Sequence, residues 1–313
     1  MCGRTSCHCS LAVYQKATSY FDENLNRYVC PSSDQPPGHE FHPSANIAPT
    51  QFSPVLLSGD HLSEETSRRV IRPMMWGMIP PWHQGDHKSH GLSTNNCRIE
   101  SILSSKLYSG RLKKGNRCVV ICDGFYEWQT TKGKNKQPYF IFSPQQNGLR
   151  PEILEDWNQA GWSDSKGWFG PAPLLMAGLF NEWHSPENEI KYSYTIITME
   201  STDVLSWLHH RMPAVLTTDE QVWSWLDYEG MPFRDALEYL TPVKNLSSHP
   251  VSNLVNNSRN KDSCCNKPIS LKKESKSSLL MQAWLKKGKE ESFEKKSAAE
   301  SEPSAKKIKS NYS

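Results

Sequence analysis

A cysteine stands second in this chain, in the opening run Met1-Cys2-Gly3-Arg4. Methionine is ordinarily trimmed when a small residue follows it, so Cys2 is expected to become a free N-terminal residue. It then carries two nucleophiles two carbons apart: an α-amine that titrates at about 7.7–8.0 and a thiol at about 8.5. An aldehyde is the matched electrophile. The amine adds to give a Schiff base, and the thiol closes onto the same carbon to give a five-membered thiazolidine. An internal cysteine cannot do this, because its nitrogen is tied up in a peptide bond. Taken alone, Cys2 reads more simply as whatever followed the start codon; its weight depends on the residues that accompany it.

Four short clusters accompany it. Trp76-Gly77-Met78-Ile79-Pro80-Pro81-Trp82 is a Gly/Pro turn bracketed by indoles. Asn96-Cys97-Arg98-Ile99-Glu100 holds an amide, a guanidinium and a carboxylate at alternate positions. Asp123-Gly124-Phe125-Tyr126-Glu127-Trp128 ends a strand in a turn, and His209-His210-Arg211-Met212-Pro213 follows an amphipathic stretch. Each has a plain structural account beside the chemical one. Trp76 and Trp82 could pack a core corner, and Arg98 could pair with Glu100. Glu127 could face solvent, and His209 could sit at a helix C-terminus where the dipole favours it.

The elements that must position these residues are legible in outline. Residues 11–22 read as a helix, and 118–122, 138–142, 173–180 and 192–199 as strands. Further helices fit 217–227, with Thr218 or Asp219 as N-cap, and 232–240. Strands outnumber helices without alternating with them, so the fold class expected is α+β with a mainly antiparallel, barrel-like sheet and peripheral helices. Residues 30–45 read as a loop, and 144–172 as a long polar excursion between two strands.

Of 313 residues, 36% are hydrophobic and 11 are tryptophan, enough for a substantial core. No apolar run approaches the roughly 20 residues of a membrane span, and the N-terminus lacks a signal-peptide layout. The nine cysteines are therefore expected to be mostly reduced thiols. The net charge of +3 hides an asymmetry: residues 255–313 carry 14 Lys+Arg against 7 Asp+Glu, which leaves 22 against 26 in 1–254. A net-acidic folded part binds nucleic acid only through a local patch and shape. The tail's Ser/Lys/Glu composition predicts disorder over 255–313, with one apolar stripe at Leu279–Leu285 that could present a short helix to a partner groove.

In this order, Met-Cys-Gly-Arg, WGMIPPW, N-x-R-x-E, DGFYEW and H-x-R-M-P resemble the SRAP (SOS response-associated peptidase) family, over about residues 2–250. The resemblance implies a single SRAP-type domain that covalently traps abasic sites in single-stranded DNA, whose ring-opened sugar is an aldehyde. It implies a thiazolidine between Cys2 and C1′ of that sugar, and an autocatalytic peptidase activity that removes residues preceding Cys2. Glu127 would shuttle protons during ring opening and imine formation. His209, the first histidine of the H-x-R-M-P match, would protonate the opened sugar's hydroxyl and assist reversal. Asn96 would hold the amine or the sugar. Arg4, Arg98 and Arg211 would contact flanking phosphates, and Trp128, Trp76 and Trp82 would stack on or wedge against unpaired bases. A monomer in the nucleus, acting at replication forks, with a fork partner for 279–285 and no cofactor, completes the expectation.

Other readings remain beside it. Cys7-His8-Cys9 with Cys118 and Cys122 invites zinc, but adjacent C-H-C lacks the spacing of structural zinc sites. A papain-like protease places its cysteine at an internal helix N-terminus. A non-covalent reader of modified cytosine or of DNA shape would use the tryptophans and arginines without the thiol.

Overall fold

The computed structural model describes residues 3–62, 67–129, 136–146 and 148–271. Cys2 and the 279–285 stripe lie outside the described residues. Twelve strands carry the architecture. The first six are β1 (Thr5–Cys7), β2 (Ser44–Ile47), β3 (Phe52–Ser58), β4 (Arg69–Trp76), β5 (Asn96–Arg98) and β6 (Arg117–Cys122). The second six are β7 (Gly124–Trp128), β8 (Pro138–Phe142), β9 (Leu174–His184), β10 (Ile190–Glu200), β11 (Arg211–Pro213) and β12 (Ser247–Pro250).

Strands β10, β9, β6, β3 and β4 pair antiparallel in that order, and β4 closes back on β10 in parallel through Ser193↔Met75 and Tyr194↔Trp76. The result is a closed five-strand mixed barrel. β3 and β6 hold short unbroken apolar runs because they are covered on both faces: Val55, Leu56 and Leu57 are all buried, as are Cys118 through Cys122. A second, antiparallel sheet runs β12-β8-β7-β1-β2.

One chain segment belongs to both sheets. It leaves the barrel at the end of β6, turns at Asp123, and enters the second sheet as β7. Gly124 is required at that bend, since a Cβ there would meet the Ile141 carbonyl oxygen and the Phe140 ring (2.6 Å). The buried Asp123 carboxylate accepts from Ser6 Oγ (2.7 Å), the His8 backbone N–H (2.9 Å) and Tyr14 Oη (2.6 Å). His8 Nδ1 lies 2.9 Å from the same carboxylate. A buried charge needs such partners, and here they tie the bend to β1 and to the helix Leu11–Ala17.

That helix is shorter than the 11–22 expected. Thr18 Oγ1 donates to the Tyr14 carbonyl (2.7 Å), and a hairpin of Tyr20–Asp22 with Arg27–Val29 follows. The helix Asp219–Leu226 is capped by Thr218, whose hydroxyl accepts from the Gln221 N–H (3.1 Å); Phe233–Glu238 forms the next. In the 30–45 loop, Ser32–Ser33 runs beside β4, and β2 begins at Ser44. The 144–172 excursion is packed structure: a helix over Leu154–Asn158 and a hairpin of Gly161–Ser163 with Gly167–Phe169. It buries Trp157 edge-on against Tyr14 at 6.0 Å.

The compact unit runs to Ile269, past the boundary that composition places near 250–255. Residues 251–269 form a strap with short 3-10 turns at Asn253–Asn256 and Ser263–Asn266. Val255, Cys265 and Asn266 are buried beneath it. Composition misses this because the strap is polar overall and holds on by hydrogen bonds. No helix among the described residues is long and apolar enough to cross a membrane.

Candidate active site at the N-terminal strand

The ladder between β1 and β7 sets the geometry. Thr5 pairs with Phe125, and the Tyr126 N–H donates to the Arg4 carbonyl (2.9 Å). The next residue of β7 is Glu127, so the first described residues run alongside the strand that carries that carboxylate. Glu127 is buried although it ends a strand. Its Oε1 accepts from the Trp128 N–H (3.2 Å), and on its other side it pairs with Tyr139 of β8. Tyr139 stands edge-on to Trp207 at 4.9 Å, which brings the His209 loop over the same strand end.

His209 Nδ1 faces both the Arg211 N–H (2.9 Å) and the Arg211 carbonyl (3.2 Å), so the backbone of Arg211 fixes the ring by that edge. Its ring stacks on His210 at 4.4 Å. Burial pushes the imidazole below its ordinary value of 6.5, and the Glu127 carboxylate opposes that shift. A buried carboxylate and an imidazole thus act on one another, which is the pairing that general acid–base chemistry uses.

Asn96 and Arg98 enter on β5, parallel to β10, at Ile196 and Thr198; Arg211 enters on β11 opposite Glu200. The Arg98–Glu100 pair that stood as the plain structural alternative does not form; Arg211 makes a fork on Glu100 (2.7 and 2.9 Å), with a third bond to the Thr198 carbonyl (2.7 Å). The Arg211 guanidinium holds the Glu100 carboxyl below its ordinary value. Arg98 is exposed and forms no ion pair among the described residues. Arg4 is spent inward: Nη1 donates to Asn46 Oδ1 (2.9 Å) and to the Val255 carbonyl (2.6 Å), and burial lowers its pKa. Of the three arginines, Arg98 is the one whose charge stands open to a phosphate.

The tryptophans divide. Trp82 is 54% exposed on the Pro80-Pro81 loop, and Trp128 is half-buried at the end of β7. Trp76 is fully buried, parallel to Tyr194 at 6.3 Å, with its N–H given to the Asn95 carbonyl (3.0 Å). It offers no face to a base. The expectation of a stacking role for Trp76 is corrected to one in the core: it ends the strand that closes the barrel. Its neighbour Gly77 takes a positive φ of 108° that turns the chain out toward Trp82.

Ligand atoms of His8, Cys9 and Asp123 lie within 4.8 Å of one another. Three hydrogen-bond donors besides His8 Nδ1 already occupy Asp123, and burial drives the Cys9 thiol strongly toward its protonated form. The donor set therefore describes a hydrogen-bonded hub rather than a cation cage. The sequence shows His8 and Cys9 only as part of Cys7-His8-Cys9 and Asp123 only as the start of the Asp123-to-Trp128 cluster, and nothing in it links the two to each other or to Tyr14.

Comparison with known proteins adds four findings. Residues 1–258 match the profile of the family described as SOS response associated peptidase (SRAP). The chain is 41% identical over 308 residues to the abasic site processing protein HMCES of Gallus gallus, covering 95% of this chain and 88% of that protein. It is 30% identical over 226 residues to the abasic site processing protein YoqW of Bacillus subtilis (strain 168), covering 72% and 85%. A solved structure from Bacteroides thetaiotaomicron, 18% identical, superposes with a TM-score of 0.61 over 86% of this chain and 100% of its own, a likeness of fold. With the family profile spanning residues 1–258 and relatives of 30–41% identity over most of its length, the chain belongs to the SRAP family.

Proposed function

We propose that this protein processes abasic sites in single-stranded DNA by linking itself to them through Cys2. The observation that carries the reading is the register of β1 on β7. It places Arg4 against Tyr126, the residue before Glu127. Cys2 precedes Arg4 by two residues in the sequence, and the buried Glu127 carboxylate next to that contact also acts on His209. The similarity to proteins named for abasic site processing supports the choice of aldehyde.

With Met1 removed, the Cys2 amine adds to C1′ of the ring-opened sugar. Glu127 moves the proton between O4′ and the amine, and water leaves as the imine forms. The thiol sulfur then bonds to C1′ and its proton passes to the nitrogen, which closes the thiazolidine with no net change in oxidation state. Asn96 holds the amine or sugar, and Arg98 meets a flanking phosphate. Trp82 and Trp128 face unpaired bases, each stack contributing about 1–3 kcal/mol. Removal of residues before Cys2 by the same site is part of the proposal. A single strand bends and splays its bases readily, whereas a duplex loses a few kcal/mol of pairing and stacking. Single strands are therefore the preferred substrate, and base sequence matters little.

The test is a denaturing gel of protein incubated with a single-stranded oligonucleotide carrying one abasic site. A covalent band is expected, lost in Cys2→Ala and lost when an uncleaved tag blocks the amine. A tagged, unprocessed protein that links normally would overturn the thiazolidine. A wild-type protein that binds without any covalent band would favour the non-covalent reader.

A further inference from the structure

The strap touches the candidate site at one side chain. Its first turn, Asn253–Asn256, is capped by Ser252 Oγ, which accepts from the Leu254 N–H (3.3 Å). From the end of that turn, Asn256 Oδ1 accepts the indole N–H of Trp128 (2.7 Å). An indole nitrogen only donates, so this contact also fixes which amide atom faces it. Asn256 Nδ2 points back to Asn253 Oδ1 (3.5 Å).

The turn itself is anchored. Val255 is buried, and its carbonyl receives Arg4 Nη1 (2.6 Å) and Asn46 Nδ2 (3.4 Å). Asn46, itself buried, also reaches the carbonyls of Asn257 (3.0 Å) and Asn260 (2.8 Å), and its own carbonyl takes Lys261 Nζ. Asn256 is therefore presented by a braced backbone rather than by a loose tail. Arg4, held by the same brace, sets its guanidinium 5.9 Å from the Trp128 ring centroid. The indole is fastened by its N–H edge while the residue stays half-exposed.

We infer that Asn256 is a positioning residue, holding the Trp128 indole in the orientation in which its face stacks on an unpaired base beside the lesion. The inference rests on the DNA-processing reading above. A half-exposed indole with a free N–H samples several rotamers, and ordering one of them on binding has an entropic cost. The Asn256 contact meets that cost in advance. A net hydrogen bond is worth about 0.5–1.5 kcal/mol; at an exposed site the low end applies, so about two- to fivefold in affinity.

The probe is a single-stranded oligonucleotide carrying a tetrahydrofuran abasic analogue, which has no aldehyde and reports binding without linkage. Fluorescence anisotropy is measured for wild type, Asn256→Ala, Trp128→Phe and the double variant, alongside thermal melts. Asn256→Ala is expected to weaken binding about two- to fivefold at unchanged Tm, and to add nothing once Trp128 is Phe. An equal loss in both backgrounds, or no loss in either, would overturn the inference. Wild type is assayed in parallel on a natural abasic oligonucleotide. If no covalent band forms there while the coupling in affinity holds, the linkage chemistry falls and the positioning role stands. If wild type does not bind the analogue strand at all, both fall.

Discussion

At the scale of single residues, the pH response of the proposed chemistry belongs to His209. Burial holds its imidazole below 6.5 against the pull of Glu127, so the ring is mostly neutral at neutral pH and protonates only in mild acid. A step in which His209 gives a proton from its charged form must therefore quicken as pH falls below 6.5. Opening of the thiazolidine is such a step. Reversal of the covalent species, followed by gel between pH 5 and 7.5, is expected to speed up toward the acid end in wild type. In His209→Gln the profile should be flat, and a variant that keeps the slope would remove His209 from that role. His210 is exposed, and it contributes the stacking partner for the ring beside it.

At the scale of elements, β1 is held from three directions. β7 and β2 pair with it, the helix Leu11–Ala17 meets it through Tyr14 and Asp123, and the strap reaches it through Arg4 and Asn266. This matters because β1 delivers the N-terminus, and a strand of three residues cannot hold its own register. His8 makes the arrangement sensitive to pH. Burial lowers its pKa, but the Asp123 carboxylate 2.9 Å away outweighs burial, and the imidazole ends above 6.5. A group raised on folding adds stability that is complete below its unfolded value and is lost as pH climbs through the folded value. The urea midpoint should accordingly fall between pH 6 and pH 8.5 in wild type, by more than it does in His8→Asn. Equal slopes in the two proteins would show that the pair contributes nothing.

At the scale of the whole molecule, the unit that holds the site ends at Ile269 rather than at the last strand, β12. A chain cut after Leu254 loses the burial of Val255 and Cys265 and strands the Arg4 and Asn46 donors. We expect it to be less stable to urea by about 3 kcal/mol, from one or two buried apolar side chains and unsatisfied buried donors. A chain cut after residue 271 should match the full chain. If both truncations unfold alike, the strap is a passenger. Arg4 and Arg211 are spent within the fold, and Arg98 alone of the three stands open.

The sequence by itself determined the class of fold and the family, and pointed to a chemistry. Cys2 stood out for its amine and thiol, Asn96, Glu127 and His209 through motifs that resemble a family, and β6, β8, β9 and β10 because local apolar runs demand burial. The thiazolidine reading needed no coordinates, since it follows from an amine and a thiol on one residue. Only the tertiary structure decided which exposed-looking residues were open and which were spent. Trp76 and Trp82 bracket one seven-residue motif, yet one closes the barrel and the other faces outward, because a positive φ at Gly77 turns the chain between them. Asp123 became a hub, Arg211 took Glu100 from Arg98, and Asn256 reached Trp128 across 128 positions of sequence. These are long-range polar contacts, and polar residues carry no periodic signal that tells a solvated side chain from one held by a distant partner.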